Sequence, residues 1–244
     1  MIRHSITDIH CHILYGVDDG SGDLDTSVMM LEQAYESGVR KMILTPHYKH
    51  HRGIVGQDEL EERLKALKRY LKEHHMTMEL YLGSEVLYYD EMTEGLDAGR
   101  INTMAGSRYV LTEFSPRADY RYIYNALLKI LSSGYYPILA HIERYECMLK
   151  DMGHASELKE SGVYIQVNAD SVEGRNGMML KRYSRKLISN DLVDFIASDA
   201  HDADRRRPVF QKVVKYLDRH FGADYTDRIL NDNPAMIIAN EYIH

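Results

Sequence analysis

The sequence predicts an α/β fold in which short parallel strands alternate with helices around a barrel. Three observations support this prediction. Short apolar runs rich in β-branched residues alternate with longer segments of helical periodicity, seven such runs can be counted, and no Pro-, Gly- or Ser-rich break divides the 244 residues. We therefore expect a single domain over residues 1–244 with seven or eight βα units. An open, doubly wound sheet is the alternative.

The seven runs are predicted to be the strands of the barrel. Each is short and largely apolar, which is typical of a strand that is buried on both faces of a parallel sheet. The runs are residues 5–9, 41–45, 78–82, 109–112, 137–140, 163–167 and 194–197.

Helices are predicted between the strands from the spacing of their apolar residues. The first, residues 25–37, has Asp23 or Asp25 as its N-cap and ends before Gly38. The other predicted helices are a leucine stripe over residues 60–71, residues 123–131, 145–161, 178–189 and 208–221, and a last helix with Pro234 in its first turn.

Charge and composition argue against several classes of protein. The chain has 30 Lys and Arg against 37 Asp and Glu, a formal net charge of −7, and this field repels nucleic acid and anionic membranes. We find no apolar run long enough to cross a bilayer, no export signal at the start, and only two cysteines. We expect a cytoplasmic protein that neither binds nucleic acid nor inserts into a membrane.

Histidines and carboxylates follow six of the seven predicted strands. The motifs are Asp8-Ile9-His10-Cys11-His12, Thr45-Pro46-His47, Gly83-Ser84-Glu85, Thr112-Glu113, Ala140-His141-Ile142-Glu143-Arg144 and Ser198-Asp199-Ala200-His201. The carboxyl ends of parallel barrel strands converge on one face, so these side chains should meet there. Burying so many ionisable groups together is costly unless cations hold them, and we therefore predict a multinuclear metal centre.

The remaining candidate residues lie in two loops. Together with the residues at the strand ends, they indicate which metal the site binds and which reaction it catalyses. The acidic, glycine-rich loop 16–23 should add a carboxylate from Asp18 or Asp19. Mixed imidazole and carboxylate ligands favour manganese, with iron or zinc as alternatives. Ions roughly 3.5–4 Å apart can hold a hydroxide and clamp a phosphoryl group, which indicates phosphoester hydrolysis. Arg144 and at least one arginine of the triplet 205–207 are candidates for binding the phosphate.

In this order along the chain, the motifs resemble the PHP (polymerase and histidinol phosphatase) superfamily, and specifically its bacterial tyrosine phosphatases of capsular and exopolysaccharide synthesis. The resemblance runs from residue 8 to about residue 207. It implies a distorted (β/α)7 TIM-like barrel with three metal ions, usually manganese. It also implies a phosphotyrosine substrate, notably on the tyrosine-rich tail of the kinase that regulates polysaccharide export.

The resemblance further assigns the site residues. It implies one ion held by His10, His12 and Asp199, a bridge through Glu85 to a second ion held by Glu113 and His141, and a third ion held by Asp19, His47 and His201. Spacing favours Asp19 over Asp18, and both stay open. Arg144 and Arg206 match the arginines that bind substrate phosphate, with Arg205 and Arg207 as alternatives to the latter.

The expected reaction is attack of metal-bound hydroxide on phosphorus, in line with the departing tyrosyl oxygen. A cysteine mechanism is disfavoured because Val17 and Gly153, and no arginine, stand six positions after Cys11 and Cys147. Two alternatives remain: a small-metabolite phosphatase such as a histidinol phosphatase, and a non-catalytic phosphotyrosine-binding module. The sequence does not predict the oligomeric state.

Overall fold

Parallel strands form the wall of the molecule in this computed structural model, which describes residues 4–51 and 55–243. The strands are β1 (Ile6–Asp8), β2 (Val39–Leu44), β3 (His47–Tyr48), β4 (Glu79–Leu82), β5 (Glu85–Leu87), β6 (Tyr109–Glu113), β7 (Tyr136–Leu139), β8 (Tyr164–Asn168) and β9 (Phe195–Ala197). All of the pairings between these strands are parallel.

The strands follow one another around the wall in the order of the sequence. β3 continues β2 after a short break and β5 continues β4, so the nine segments occupy seven positions, as predicted. Beyond β1 and β9, a parallel bridge between Cys11 and Ala200 joins the first position to the last. The His12 N–H donates to the Ala200 carbonyl at 2.8 Å across this seam. The α/β barrel prediction is therefore confirmed, and the open doubly wound alternative is wrong.

The barrel is distorted because the strands in its wall pair unevenly with their neighbours. Within the described part of the chain, β4 pairs with β2 alone, and the pairing with β6 begins only at β5. Met104 and Ile237 join Tyr109, Ile138 and Phe195 in the buried cluster that fills the interior. Side chains from outside the strands thus complete the core. Polar residues occupy the carboxyl end of the barrel.

Helices cover the outside of the wall. They are α1 (Leu24–Glu36), α2 (Gln57–Glu73), α3 (Met92–Asp97), α4 (Tyr120–Ser132), α5 (Glu146–Lys150), α6 (Gly153–Glu160), α7 (Ala169–Glu173), α8 (Met178–Ser189), α9 (Gln211–Phe221), α10 (Ala223–Asp227) and α11 (Asn233–Ala239). The Asp23 carboxylate caps α1 by accepting the Thr26 N–H at 2.8 Å, as expected of an N-cap. Among the described residues, no helix has both the length and the hydropathy of a membrane span.

The helix predicted over residues 178–189 matches α8, the ends of most others differ by up to three residues, and one predicted helix is split. The helix predicted over residues 145–161 is split into α5 and α6 at Asp151, whose backbone is extended (φ −140°, ψ 116°) and whose carboxylate accepts the Gly153 N–H at 2.8 Å. The helix predicted from residue 208 begins at Gln211 instead.

Candidate metal centre

The two-residue period of the strands carries polar side chains into the carboxyl mouth of the barrel. Tyr109 and Leu111 of β6 belong to the interior core, and Glu113 follows them on the same side of the strand. Asp199 lies two residues beyond the interior residue Ala197 but outside β9, and its backbone is left-handed. The alternation that builds the core therefore also carries Glu113, one of the predicted ligands, to the mouth of the barrel.

Two residues of the mouth have left-handed backbone conformations. His141 has a φ of 33° and Asp199 a φ of 51°, a region that costs a non-glycine residue about 1–2 kcal/mol. Hydrogen bonds hold both residues in place: the His141 N–H donates to Gln166 Oε1 at 2.8 Å, and the Asp199 N–H donates to the His10 carbonyl at 2.8 Å. The fold thus stabilises a conformation that turns both side chains toward the mouth.

Glu85 lies at the centre of the cluster and is 1% exposed. Its Oε2 atom lies 3.2 Å from Nε2 of His10, 3.2 Å from Nε2 of His12 and 3.1 Å from Nδ1 of His47. Its Oε1 atom lies 2.8 Å from Nε2 of His141. One carboxylate therefore contacts four imidazoles, which is the geometry of a bridging ligand.

The remaining predicted ligands surround Glu85. Asp199 Oδ1 lies 3.5 Å from Nε2 of His10, and the same distance separates it from Nε2 of His12 and from Nδ1 of His201. Glu113 Oε1 lies 3.2 Å from Nδ1 of His47. Among the residues that the structure describes, three groups have ligand atoms within 4.8 Å of one another: His10, His12 and Glu85; His47, Glu85 and Glu113; His12, His47 and His201.

Hydrogen bonds around the cluster determine which imidazole nitrogens carry a proton. Gln166 Oε1 accepts the His141 N–H, so the atom 3.2 Å from Nδ1 of His10 is an acceptor, and we assign a proton to that nitrogen. Nδ1 of His12 lies 2.7 Å from Asp18 Oδ2, and Nδ1 of His201 lies 3.0 Å from the Asp199 carbonyl. In the neutral form, all three imidazoles therefore present a bare Nε2 atom.

The bare Nε2 atoms of His10 and His12 converge on one another and on carboxylate oxygens. Nε2 of His10 and Nε2 of His12 are 3.3 Å apart, and both lie within 3.5 Å of oxygens of Glu85 and Asp199. Lone pairs facing one another in a buried site repel, and cations relieve that repulsion. The residues therefore fit divalent metal ions, and the nitrogen and oxygen donor set suits manganese, iron or zinc.

The same crowding governs the protonation of the isolated chain. Burial lowers the pKa of His10 and His12, but contacts with Glu85 and Asp199, preceded for His12 by the hydrogen bond with Asp18, outweigh burial and raise both pKa values. Burial and the charge of His12 lower the pKa of His201 to about 3. Protons and metal ions thus compete for the same nitrogens, so metal affinity should fall at low pH.

The structure separates the roles of the two loop aspartates. The Asp18 carboxylate is buried, contacts Nδ1 of His12 and accepts the backbone N–H of His47 at 2.9 Å, so it orients the His12 imidazole and ties the loop to the backbone of His47. Asp19 is exposed, and its Oδ1 atom lies 3.3 Å from Nε2 of His47. The loop folds back tightly, since a Cβ at Gly20 would lie 2.2 Å from the backbone oxygen of His12. Asp19 has the position expected of a ligand, and its ligand role stays a prediction.

The arginines meet the cluster at Asp199. Arg206 Nη2 donates to Asp199 Oδ2 at 2.8 Å, and Arg144 Nη1 lies 3.3 Å from the same oxygen. Both side chains remain partly exposed, whereas Arg205 and Arg207 face solvent. They open onto a cleft of about 370 Å³, which is lined by Arg144, Asn168, Asp170, Asn176, Leu180, Ser198, Asp199 and Arg206.

Three polar residues that position the cluster were not predicted from the sequence: Gln166, Asn168 and Asp8. Gln166 and Asn168 follow Tyr164 at two-residue spacing on β8, and this period was the available signal. Gln166 donates to Asn168, which in turn donates to Asp199 at 2.7 Å. Asp8 accepts from the Ser198 N–H at 3.0 Å and thereby ties β1 to the segment after β9.

Comparison with known proteins gives consistent matches over almost the whole chain. The sequence profile of the family described as Capsular polysaccharide synthesis, CpsB/CapC, matches residues 6–239. Tyrosine-protein phosphatase CpsB of Streptococcus pneumoniae is 32% identical over 241 residues, covering 97% of this chain and 99% of that protein. Tyrosine-protein phosphatase YwqE of Bacillus subtilis (strain 168) is 31% identical over 242 residues, covering 97% and 92%.

Solved structures agree with the sequence matches. A structure from work on YwqE of Bacillus subtilis and CpsB of Streptococcus pneumoniae, described as unique metal-dependent tyrosine phosphatases, superposes with a TM-score of 0.90 at 29% identity, covering 98% of this chain and 96% of that one. Histidinol phosphate phosphatase of Lactococcus lactis, complexed with zinc, L-histidinol and phosphate, superposes with a TM-score of 0.55 at 13% identity, covering 82% and 88%. The second likeness shows a shared fold.

Proposed function

Because the chain belongs to the capsular polysaccharide synthesis CpsB/CapC family, we propose that it is a metal-dependent protein-tyrosine phosphatase. The observation that carries the proposal is the juxtaposition of the metal-ligand cluster with a cleft that two arginines line. A phosphoryl group in the cleft would lie between fixed cations on one side and the guanidinium groups of Arg144 and Arg206 on the other.

The proposed ligands are the predicted set, which holds up to three divalent cations with manganese preferred and iron or zinc as alternatives: His10, His12, Asp19, His47, Glu85, Glu113, His141, Asp199 and His201. When bound, such ions lower the pKa of a water molecule and offset charge on phosphoryl oxygens. Asp18 and Gln166 keep the Nδ1 protons of His12 and His10 in place, so that the opposite nitrogens stay available as ligands.

Arg144 and Arg206 are proposed to bind the substrate phosphate. Each uses a single N–H to contact Asp199, which leaves the rest of the planar guanidinium free to face the cleft. Asp199 thus anchors both arginines, and a phosphate entering the cleft meets donors that are already positioned. A tyrosyl leaving group with a pKa of about 10 departs without a strong general acid.

The cysteines take no part in the proposed reaction. Cys11 is buried and its Sγ atom donates to the Ile43 carbonyl at 3.6 Å, so the thiol is engaged with a backbone group. Burial, with the charge of Asp8 adding to it, raises the pKa of Cys11 well above its ordinary value. A thiol in this environment is a poor nucleophile.

We propose a tyrosine-phosphorylated polypeptide as the substrate, and the tail of the kinase that regulates polysaccharide export as its physiological source. The proposal rests on family membership and on the cleft of about 370 Å³ beside the cluster, which Arg144 and Arg206 line. The cytoplasmic location stays a prediction.

The test measures phosphate release by the purified protein from a phosphotyrosyl peptide, a phosphoseryl peptide and histidinol phosphate, with and without EDTA, alongside elemental analysis. We expect manganese in the protein and rapid, EDTA-sensitive hydrolysis of the phosphotyrosyl peptide. Preferential hydrolysis of histidinol phosphate would favour the small-metabolite alternative. Tight phosphotyrosine binding without turnover by the metal-loaded protein would favour the binding module.

A further inference from the structure

The start of α8 exposes an apolar pair beside a basic face. Met178 is 60% exposed and Met179 is 65% exposed. Helical spacing puts Arg182 and Lys186 on the same exposed side of α8 as Met179. We call these four residues, Met178, Met179, Arg182 and Lys186, the α8 rim.

The α8 rim is continuous with the candidate active site. Asn176 and Leu180, which flank the methionine pair in the chain, both line the cleft that contains Arg144 and Arg206. The turn that leads into α8 is well braced, since the Asn176 side chain donates to Ser171 Oγ at 3.1 Å. The methionines therefore lie at the edge of the cleft where the phosphate is proposed to bind.

The charge of α8 complements an acidic partner. The helix contains Lys181, Arg182, Arg185 and Lys186 and no Asp or Glu, although the whole chain has a net charge of −7. Over residues 4–51 and 55–243, Lys181, Arg182 and Lys186 have no carboxylate within 4.0 Å.

The acidic residues on either side of α8 in the chain pair with other arginines, and Asp191, which follows the helix, contacts Arg228. Asp170 and Glu173 of α7 are each 3.2 Å from the guanidinium of Arg175, which lies between α7 and α8. Lys181, Arg182 and Lys186 are therefore left available to a ligand, whereas Arg185 donates to the Val172 carbonyl.

We propose that the α8 rim binds the part of a phosphotyrosyl polypeptide that adjoins the phosphorylated residue. An apolar side chain of the substrate packs on Met178 and Met179, and substrate carboxylates pair with Arg182 and Lys186. Methionine suits this role because its flexible, polarisable side chain adapts to apolar groups of different shape. The inference rests on the proposed phosphatase function and adds to it the source of peptide selectivity.

The experiment compares a peptide substrate with a small one. The peptide carries phosphotyrosine next to leucine, followed by two glutamates, and the small substrate is para-nitrophenyl phosphate. The variants are Met178→Ser with Met179→Ser, and Arg182→Glu with Lys186→Glu. Met29→Ser, at a methionine on α1 that is 51% exposed, and Arg219→Glu, at an exposed arginine of α9, are the matched controls.

We expect each α8 rim double variant to lower kcat/KM for the peptide by about tenfold or more, the effect of losing well-buried contacts at a binding surface. Hydrolysis of para-nitrophenyl phosphate should not change, because this substrate reaches the cleft but is too small to contact the rim. Both control variants should match the wild-type chain on both substrates.

Several outcomes would overturn the inference. Unchanged peptide kinetics in both double variants would do so while leaving the phosphatase function intact, and so would an equal loss on both substrates. A change in oligomeric size by light scattering, with peptide kinetics unchanged, would identify the rim as a contact between copies of the chain. A wild-type chain that is loaded with metal but hydrolyses neither substrate would overturn the proposed function itself.

Discussion

Gln166 is the residue on which the arrangement of the cluster depends most, and replacing it with leucine is the sharpest test of that arrangement. Its Oε1 atom accepts from Nδ1 of His10 and from the His141 N–H, and its Nε2 atom donates to Asn168 Oδ1 at 2.8 Å. Gln166→Leu removes all three hydrogen bonds and keeps an apolar side chain of similar length in a site that is closed to water.

The size of the effect follows from the three polar groups that lose their partner. Each buried group without a hydrogen bond costs about 1–3 kcal/mol, so for three groups we expect the free energy of unfolding to fall by about 3–9 kcal/mol. The loss of the contact that fixes the tautomer of His10 should also weaken metal binding by about 10–100-fold. The hydrogen bond of the His141 N–H contributes separately to stability, because it holds His141 in the left-handed conformation.

Urea denaturation and a manganese titration against a chelating dye measure the two effects. Thr112→Val is the matched control, because the buried Thr112 hydroxyl has no hydrogen-bond partner in the described chain and its loss should be nearly neutral. A Gln166→Leu variant with the stability and manganese affinity of the control would refute the role of the amide.

Four further predictions follow from the site and its surroundings. His141→Ala should lower turnover by at least about a hundredfold and reduce the metal content, and unchanged turnover would contradict its ligand role. Arg144→Ala should weaken inhibition by inorganic phosphate by about tenfold with the metal content unchanged, whereas metal loss with normal phosphate inhibition would contradict the assignment. Removing metal with EDTA should lower the Tm by about 5–10 °C, and an unchanged Tm in calorimetry would count against a tightly bound cluster. Burial lowers the pKa of His4, but contacts with Asp227 and Asp218 outweigh burial and raise this pKa above 6.5. The stabilisation of the fold by these contacts is therefore full below pH 6.5 and is lost as the pH rises through the raised pKa. His4→Ala should thus destabilise the chain by about 1–3 kcal/mol near pH 5.5 and by less above pH 8, and a pH-independent difference in urea denaturation would contradict this account.

The sequence predicts the strands well because a strand of a parallel barrel is buried on both faces and must be apolar over its whole length. The run 109–112 and the observed β6, Tyr109–Glu113, differ by one residue. Helix ends were predicted less well where a side chain interrupts the helix, as Asp151 does between α5 and α6. That interruption depends on a local hydrogen bond that apolar periodicity does not report.

The charged residues of the site could be predicted because histidines and carboxylates at strand ends are unusual in a barrel core. Gln166 and Asn168 could not be predicted from residue type, because a buried amide is ordinary in any protein. The choice between Asp18 and Asp19 depends on how tightly the loop folds against His12, which one glycine, Gly20, permits. Such close approaches depend on the path of the backbone in space.

The seam between Cys11 and Ala200 has a consequence for how the chain matures. His10 and His12 contact Asp199, and His201 lies beside it, yet Asp199 and His201 are synthesised about 190 residues after the first two histidines. A nascent chain that stops short of residue 199 therefore lacks two of the proposed ligands, however well its earlier segments have folded. On the proposed ligand set, all of the ions can be bound only after translation has passed residue 201, so a product of synthesis interrupted before that point has an incomplete centre.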